Sequence, residues 1–498
     1  MTRWRTRAAL TLPALLALLA AGVTGAEEPN RWASEGRAAV ARAKGLAPAA
    51  TSARARNVIL FLGDGMGVTT VTSARILEGQ RRGETGEENL LAFERLPHVA
   101  LIKTYNTDQQ TPDSAGTMTA IVTGAKTRAG MISVDEHVER GDFAAVAEHR
   151  LPTLFEQAED RGLATGVVTT AHVTHATPAC TYAHAPERRW EDDSRLSKEA
   201  RAADFPDIAR QLVEWPHGDG LDVVLGGGRR YFLPRTTVDP EYGDSRGTRE
   251  DERNLMAEWA ARAPGVTVWN RAGFDAVKPQ TGPRLLGLFQ PSHMQFEADR
   301  TNDAGGEPSL AEMTRKAIEI LSRRPGGYVL LVEGGRIDHA HHMGNAHRAL
   351  ADTVAFSDAV QTALDLTRRD DTLIVVTADH GHVLTIGGYS VRGNPILGVV
   401  VENGGEPAID TKGRPYTTLG YGNGPGFRMQ RPDLREVDTT APDFVQEATV
   451  PLLSETHSAE DVPAYAAGPG AYLIHGVQEQ SYLYHAMVEA LGWNGPKP

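Results

Sequence analysis

Cysteine is almost absent from this 498-residue sequence: Cys180 is the only one, so the chain can form no intramolecular disulfide. Aromatic residues are also scarce, at 6%. The apolar stretch Ala8–Ala21 is shorter than the roughly 20 residues that a membrane-spanning helix requires. Hydrophobic residues nevertheless make up 41%, which is enough for a large core and too much for a disordered chain. Its length allows one large α/β domain with insertions or two to three smaller ones.

The first 26 residues have the pattern of a secretory signal peptide. Arginines at positions 3, 5 and 7 precede the apolar stretch, and Thr24-Gly25-Ala26 follows it, which predicts cleavage before Glu27. No cysteine lies at this cleavage point and no hydrophobic tail precedes Pro498, so no lipid or membrane anchor is expected. We therefore expect an exported protein, either periplasmic or secreted.

Acidic residues outnumber basic ones by 64 to 51, which gives a formal net charge of −13. Without the three arginines of the predicted signal peptide, which carries no acid, the charge is −16. Such a surface argues against nucleic acid as a structural partner. Most of these acids are typical of solvated surface, and the informative ones are those that follow buried strands.

Three short apolar runs are each followed directly by a carboxylate: 57–63 by Asp64, 328–332 by Glu333, and 373–378 by Asp379. Continuous β-branched runs predict strands that are buried on both faces, as in a parallel sheet. Ligands of such sheets bind outside the carboxyl ends of the strands, so the three acids are expected to meet there. Because unpaired buried acids would repel one another, this pattern predicts bound divalent cations and a metal enzyme.

Strands and helices alternate along the chain. Further strands are predicted at Val99–Tyr105, Ala164–Thr170 and Leu221–Leu225, and helices at Leu151–Arg161 and Ala311–Ser322. The alternation predicts a doubly wound α/β/α sandwich with a mostly parallel central sheet. Residues 27–50 contain an amphipathic helix, Arg31–Lys44, which is predicted as an arm outside the core. A catalytic domain then spans residues 51–498, and its Gly-, Pro-, Asn- and Thr-rich segment 387–430 is predicted as a crown-like surface insertion.

The tetrapeptide Asp113-Ser114-Ala115-Gly116 contains the candidate nucleophile. Thr111-Pro112 predicts a turn before it and Thr117–Val122 a helix after it. Ser114 would then lie at a helix N-terminus, where free backbone N–H groups favour an anion. An isolated Asp-Ser pair is more often an ordinary helix cap, so this assignment depends on the other motifs.

The segment Glu333–His342 is the richest in possible metal ligands. Asp338 and His342 are four residues apart, so a helix places them on one face, where they can hold one cation. Asp379-His380 supplies a second acid–imidazole pair, and His457 adds a late imidazole. Carboxylate with imidazole suits zinc, whereas all-oxygen sets suit magnesium. Alone, a histidine-rich helix start is more often solvated surface.

Polar residues also follow the predicted strand Ala164–Thr170. Thr177 in His175–Ala179 offers a hydroxyl to a hard cation, although a turn before proline explains the same residues equally well. Arg188 and Arg189 come next. Either arginine could donate two hydrogen bonds to phosphate oxygens, and either could be an ordinary surface residue.

Taken together, these motifs resemble the alkaline phosphatase family, from about Arg31 to His485. The motifs that agree in placement are Asp64–Gly67, Asp113-Ser114, Val332–His342, Thr377–His380, Tyr421–Gly426 and Glu455–His457. The resemblance implies an enzyme that hydrolyses small phosphate monoesters at alkaline pH, with a phosphoserine intermediate on Ser114. It also implies a homodimer, in which the helical arm is expected to make a contact.

The resemblance implies two Zn²⁺ ions and one Mg²⁺ ion in each subunit. One zinc would bind Asp338, His342 and His457. The second would bind Asp64, Asp379 and His380. Magnesium would bind Asp64, Thr177 and Glu333, with His175 nearby. Arg188, six residues after Tyr182, matches the phosphate clamp better than Arg189, and His339 would also lie at the substrate phosphate.

Variation within the family refines this prediction. Enteric bacterial members carry Asp and Lys where this chain has His175 and His339, whereas animal members carry His at both positions. The sequence therefore resembles the animal-type subgroup, while its lack of disulfides and of an anchor tail suggests a bacterial member. The animal type also has a calcium site, which aligns with Glu241, the Phe289 carbonyl, Gln290 and Glu307. Gln290 replaces an acid, which lowers the charge of that site.

Two other readings remain open at this point. Phosphodiesterases, sulfatases and phosphoglycerate mutases share the metal frame but use other nucleophiles, and no Cys/Ser-x-Pro-x-Arg sulfatase context surrounds Ser114. An inactive secreted protein that binds phosphate or metal is the alternative from another class. The physiological substrate is not encoded in any motif.

Overall fold

The computed structural model describes residues 31–44, 54–262 and 265–493. The predicted signal peptide, residues 1–26, lies outside them. Within the described residues there are fifteen strands: β1 (Asn57–Gly63), β2 (His98–Lys103), β3 (Ala164–His172), β4 (Val223–Gly227), β5 (Gly265–Val268), β6 (Arg284–Leu288), β7 (Tyr328–Gly334), β8 (Thr372–Ala378), β9 (Gly381–His382), β10 (Leu384–Ile386), β11 (Leu419–Gly424), β12 (Ala448–Pro451), β13 (His457–Ser458), β14 (Val462–Ala467) and β15 (Gly476–Glu479).

The helices lie mostly between these strands. They are α1 (Arg31–Lys44), α2 (Val68–Arg81), α3 (Ser114–Thr123), α4 (Leu154–Glu159), α5 (Ala176–Ala179), α6 (Lys198–Ala202), α7 (Ile208–Glu214), α8 (Leu255–Ala261), α9 (Arg271–Ala276), α10 (Leu310–Leu321), α11 (Arg336–His342), α12 (Ala346–Leu366) and α13 (Tyr482–Leu491). Helices α2, α10 and α11 all pack on α12, whereas α1 and α3 pack on α13. Both groups also contact the sheet, which confirms the predicted doubly wound α/β fold.

Ten strands form one sheet in the order β15-β2-β14-β8-β1-β7-β3-β4-β6-β5. All its pairings are parallel except those of β14, which runs antiparallel to both β2 and β8. In β1, β7 and β8 nearly every residue is buried, because helices cover both faces of the sheet. The continuous apolar runs in the sequence correctly predicted these strands.

The register of the three central strands brings the strand-end carboxylates together. Gly63 of β1 pairs with Gly334 of β7 on one side and with Ala378 of β8 on the other. Asp64 and Asp379 therefore leave adjacent strands at the same level, with Glu333 one residue below. Asp64 lies more than 250 residues before the other two acids in the chain, yet all three share one edge of one sheet.

Helix α1 forms as the sequence predicts, but it is not wholly outside the core. It packs on α13, Trp32 is buried, and Val40 joins the main hydrophobic core. The expectation of an arm separate from the core was wrong in this respect, because the apolar face of α1 finds a partner at the C-terminal end of the same chain.

The segment after β8 is mostly irregular, as its composition predicts. Strand β10 pairs with β11, and β11 with β12, in a separate three-stranded sheet that holds both ends of this segment. Isolated bridges such as Val399–Thr417 and Ile409–Pro415 connect the rest. None of the helices in the described residues combines the length and apolarity needed to cross a bilayer.

Glu159, at the end of α4, is a buried carboxyl group whose effect on the stability of the fold can be tested. It is buried beside Asp222 and Asp219 and accepts a hydrogen bond from Thr165 Oγ1 at 2.6 Å. Burial and these acids raise the pKa of Glu159 to about 8. The folded chain therefore holds this proton more tightly than the unfolded chain, so ionisation destabilises the fold as pH rises from about 4.5 to 8.

We expect Glu159→Gln to gain stability over the wild type as pH rises through this window, by on the order of 3 kcal/mol. Glutamine keeps the shape and accepts the Thr165 hydrogen bond but carries no charge. Urea unfolding at about pH 5 and about pH 9 measures the difference. Glu199→Gln, on the exposed surface of α6, is the control, and an equal pH response in both variants would contradict the prediction.

Candidate metal centre and nucleophile

Several buried oxygens at the carboxyl edge of the sheet have no hydrogen-bond donor. Both carboxylate oxygens of Asp64, Oε1 of Glu333 and Oδ2 of Asp379 are of this kind, and all three residues are 0% exposed. Burial, then the neighbouring carboxylates, raises the pKa of Asp64 well above its ordinary value and that of Glu333 to about 8. Because buried polar atoms are normally paired, these orphaned oxygens mark positions for cations.

Tight turns leave little room around Asp64. The next residue, Gly65, has φ +69°, and its N–H donates to Asp379 Oδ1 at 3.0 Å. A Cβ at Gly65 would lie 2.3 Å from Nε2 of His382. Only glycine fits both the left-handed backbone and this close approach, so the turn fixes the direction of the Asp64 carboxylate.

Two imidazoles converge on Asp338 of α11. His342 Nδ1 donates to the Glu455 carbonyl at 2.6 Å, and His457 Nδ1 donates to the Pro112 carbonyl at 2.8 Å. A carbonyl oxygen only accepts hydrogen bonds, so each neutral ring carries its proton on Nδ1. Both Nε2 atoms therefore have a free lone pair. These Nε2 atoms lie 3.2 Å apart, and each lies 3.3 Å from Asp338 Oδ1. The two Nε2 atoms and Asp338 Oδ1 are thus three acceptors that face one another. This arrangement suits a bound metal ion, whose histidine ligands would be oriented by the two backbone carbonyls.

A second group surrounds His380. Its Nε2 lies 3.2 Å from Asp379 Oδ2, 3.5 Å from Asp64 Oδ1 and 3.2 Å from Ser114 Oγ. Burial and then His457 hold the pKa of His380 well below its usual range, so the ring is neutral and can bind metal. The rings of His380 and His457 stack with centroids 3.6 Å apart, which places the two groups side by side.

A third group is built from oxygen atoms. Asp64 and Glu333 lie close enough to His175 for their ligand atoms to share one ion. Thr177 Oγ1 is also buried there without a partner, while Glu333 Oε2 accepts a hydrogen bond from Thr169. Burial, then Arg188, lowers the pKa of His175 to about 3. The largely oxygen donor set suits a hard cation.

Ser114 begins α3, with Asp113 as its N-cap. Asp113 accepts from the backbone N–H groups of Gly116 and Gly130, both at 3.0 Å. Burial alone would raise the pKa of Asp113, but Arg188 and these N–H groups outweigh it and hold that pKa below its usual value. The Ser114 hydroxyl therefore lies at a helix N-terminus and beside the second group, where a negative charge is stabilised.

The structure distinguishes the two arginines that the sequence left open. Arg188 Nη1 donates to Asp113 Oδ2 at 2.9 Å, and its Nη2 lies 3.3 Å from His175 Nε2. Arg189 is exposed. His339 is close to His175, with ring centroids 5.5 Å apart, and lies closer still to His293, at 4.1 Å. Arg188 and His339 thus border the same site as Ser114.

His382 is a site residue that sequence reasoning did not assign. It hydrogen-bonds Asp338 Oδ1 at 2.9 Å and Glu455 Oε2 at 2.6 Å. Burial lowers its pKa, but these two carboxylates outweigh burial and raise it to about 10. Both ring nitrogens thus face carboxylate oxygens, and through these contacts the ring holds Asp338 in place. The only sequence signal for His382 was its place in Asp379-His380-Gly381-His382, and this pattern did not identify its role in holding Asp338.

The four residues aligned with a calcium site lie near one another. Glu241 is held by Arg229, and Gln290 Nε2 donates to Asp303 Oδ1 at 2.5 Å. Glu307 Oε2 and Asp303 Oδ2 are buried without a partner. Burial, then Asp303, raises the pKa of Glu307 to about 8. Asp303 is a further acid here that the sequence alignment did not include; Phe289 itself is buried.

One Gly-x-Ser-x-Gly sequence occurs, at Gly243–Gly247. In serine esterases this sequence joins a strand to a helix. Here Ser245 lies in a loop closed by the bridge between Val238 and Arg246, outside the strands and helices of the described residues. It therefore gives no support to a serine-esterase site.

A buried serine beside clustered carboxylates and neutral imidazoles, on a parallel α/β sheet, defines a metal-dependent hydrolase. Residues 55–493 match the family model for alkaline phosphatase. The tissue-nonspecific alkaline phosphatase of Gallus gallus is 46% identical over 446 residues, which cover 88% of this chain and 84% of the relative. This chain therefore belongs to the alkaline phosphatase family and is a phosphomonoesterase, as the sequence motifs predicted.

Solved structures of alkaline phosphatases have the same fold as this chain. The alkaline phosphatase of Thermus thermophilus is 27% identical, with a TM-score of 0.64, and the match covers 90% of this chain and 93% of that chain. A variant of the alkaline phosphatase from the Antarctic bacterium TAB5, solved with magnesium in its M3 site, has a TM-score of 0.61 at 23% identity. That match covers 89% of this chain and 99% of the other. Both chains share the fold described above.

Proposed function

We propose that the chain hydrolyses phosphate monoesters at alkaline pH in two steps through a phosphoserine. Ser114 Oγ forms a bond to phosphorus while the ester oxygen leaves as the alcohol. Water then attacks the phosphoserine, releases inorganic phosphate and restores the Ser114 hydroxyl. The observation that carries this proposal is the position of Ser114 Oγ, at a helix N-terminus and 3.2 Å from His380 Nε2.

The donor sets support two zinc ions and one magnesium ion. Asp338, His342 and His457 would hold one zinc, and Asp64, Asp379 and His380 the other. Asp64, Thr177 and Glu333 would hold magnesium, with His175 beside it; the TAB5 relative is described with magnesium bound. Bound metals would lower the pKa of the serine and of water and stabilise the leaving oxygen. Metal analysis of the purified enzyme by mass spectrometry tests this stoichiometry, and one metal per chain would contradict it.

Arg188 and His339 are proposed to bind the substrate phosphate. The guanidinium of Arg188 is anchored by Asp113, so its remaining N–H groups can be directed at phosphate oxygens. We expect Arg188→Ala to raise KM for p-nitrophenyl phosphate and the inhibition constant of inorganic phosphate, each by about 10-fold or more. Steady-state kinetics measure both constants.

Arg189→Ala is the matched control for this prediction, because Arg189 is the adjacent arginine and is exposed. We expect its KM and phosphate inhibition to equal those of the wild type. If the two variants weaken phosphate binding to the same extent, the assignment of the clamp to Arg188 is wrong.

The reaction class is tested with three p-nitrophenyl esters that release the same product. We expect rapid release from the phosphate monoester at alkaline pH and slow release from the phosphodiester and the sulfate ester. Preference for the diester or the sulfate would instead indicate a phosphodiesterase or a sulfatase. Absence of turnover with all three would favour an inactive metal-binding protein.

We further propose that Glu241, the Phe289 carbonyl, Gln290 and Glu307 form a calcium site, to which Asp303 adds the charge that Gln290 lacks. The unpartnered buried oxygens of Asp303 and Glu307 support this proposal. Calcium titration followed by thermal unfolding tests it. The wild type is expected to gain stability with calcium and Glu307→Gln is not, and an equal gain in both would contradict the site.

We also propose that the chain is exported and that it forms a homodimer. Residues 387–430 would form the crown-like insertion, and the helix Arg31–Lys44 a dimer contact. Light scattering should give twice the chain mass, and less for a chain without residues 27–50; a full-length monomer would contradict the dimer. Sequencing the N-terminus of the exported protein should show Glu27 first, and an intact Met1 would contradict the signal peptide.

A further inference from the structure

A further cluster of side chains that could bind a metal ion lies on the loop between α3 and α4, apart from the metal centre described above. It consists of Asp135, His137 and His149, whose ligand atoms all lie within 4.8 Å of one another. Asp135 Oδ1 lies 3.1 Å from His137 Nδ1, and Asp135 Oδ2 lies 3.0 Å from His149 Nδ1. The two rings are tilted by 30° with centroids 5.7 Å apart, so both present a nitrogen to the same carboxylate.

The backbone, and not only mutual attraction, holds the three residues in these positions. Val134 and Arg150 form an antiparallel bridge, with hydrogen bonds from Asp135 N to His149 O and from Leu151 N to Ser133 O, both 3.0 Å. His137 N donates to Asp135 Oδ1 at 2.9 Å, which closes a turn. The donor set is therefore arranged before any ion binds, which reduces the cost of binding.

A small core under the loop stabilises this arrangement. The apolar side chains of Met131, Val134, Val138 and Val146 are buried against one another, separately from the main core. The loop between residues 131 and 150 is thus a packed unit rather than a mobile surface segment. Side-chain rotation alone is needed to bring the ligands to the separations of about 3.4 Å found around a tetrahedral zinc.

We propose that Asp135, His137 and His149 form a peripheral site for a divalent transition-metal ion. Two imidazole nitrogens and one carboxylate oxygen suit zinc, copper or nickel, whereas calcium and magnesium prefer oxygen alone. The side chain of His137 is 72% exposed, so water completes the coordination. When an ion binds, each neutral ring would take the tautomer that carries its proton on Nε2, which leaves the Nδ1 lone pair for the ion.

The loop that carries this site also contacts the segment of the chain that ends at Arg188. Arg140 donates two hydrogen bonds of 2.8 Å to Glu187, Gly141 N donates to Pro186 O, and Arg188 N donates to Gly130 O at 2.9 Å. An ion that joins residue 135 to residues 137 and 149 ties this loop together. Its expected effect is slower local opening of the loop, measurable by hydrogen exchange.

Calorimetric titration of zinc into the purified full-length holoenzyme tests the proposal. The wild type is expected to bind one zinc ion more than the double variant His137→Ala/His149→Ala. Asp135→Asn, which keeps the side-chain shape, is expected to weaken this binding at least tenfold. Turnover of p-nitrophenyl phosphate and circular dichroism in the same samples show that the fold and the active-site metals are retained.

His98→Ala is the control, since it removes a partly exposed imidazole that lies near His475 and away from this loop. It is expected to keep the additional zinc ion. Zinc should also slow amide exchange within residues 133–151 of the wild type and not of the double variant. Equal zinc binding by the wild type and the double variant, or no additional ion in the wild type, would overturn the proposal.

Discussion

Ser114→Ala is expected to reduce turnover of p-nitrophenyl phosphate by about 10³-fold or more and to abolish the phosphoenzyme. The substitution removes one oxygen from a position where α3, the strand-end carboxylates and His380 converge, and no other hydroxyl of the described residues lies within hydrogen-bond distance of His380 Nε2. The metals and Arg188 should remain, so binding of inorganic phosphate is expected to change much less than kcat. Acid quenching with ³²P-labelled substrate detects the phosphoenzyme.

Ser73→Ala provides the matched control. Ser73 is also a buried helical serine, but its hydroxyl donates to Thr69 O at 2.8 Å within α2. We expect this variant to retain turnover and the trapped phosphoenzyme. A Ser114→Ala enzyme that still accumulates labelled protein would show that another residue is the nucleophile.

Removing the metals is expected to have the second large effect: activity should fall about 10²-fold or more, and the melting temperature by roughly 5–10 °C. Burial raises the pKa of Asp64, Glu333 and Asp379, and nearby carboxylates, Asp338 among them, raise each further, so without cations this cluster of acids destabilises the folded chain. The His342 and His457 nitrogens would likewise face Asp338 without an ion between them. Calorimetry and mass spectrometry of the chelated protein measure stability and metal content together.

The control for this prediction is the same chelator saturated with zinc before it is added, which should leave both activity and melting temperature unchanged. Adding zinc and magnesium back to the chelated enzyme should restore both. Full activity in a sample shown to contain no bound metal would refute the metal assignment.

Much of the central sheet was predictable because its strands carry a strong local signal. The runs ending at Asp64, Glu333 and Asp379 are apolar throughout, and a parallel sheet is the arrangement that buries such strands on both faces. The same logic placed the acids at one edge before any distance was known. The helix that begins at Ser114 followed from an N-cap and a turn, which are also local features.

Other features depend on contacts between residues distant in sequence and had no local signal. The antiparallel direction of β14 depends on which strands it joins, and its sequence Val462–Ala467 does not specify this. The role of His382 depends on Glu455, 73 residues further along the chain. Asp303 was missed for a similar reason, since its neighbour Gln290 belongs to another segment. The packing of α1 on α13 joins the two ends of the chain.

The position of β14 has a consequence for when this enzyme becomes active during its synthesis. This strand lies between β2 and β8, the strand that Asp379 follows, and β13, which begins at His457, is the strand before it in the chain. A nascent chain would therefore carry most of the proposed metal ligands long before it carries His457, and its central sheet would have a gap until β14 is made. We therefore expect the sheet and the proposed metal sites to be completed late, so that a chain truncated before His457 should have no phosphatase activity.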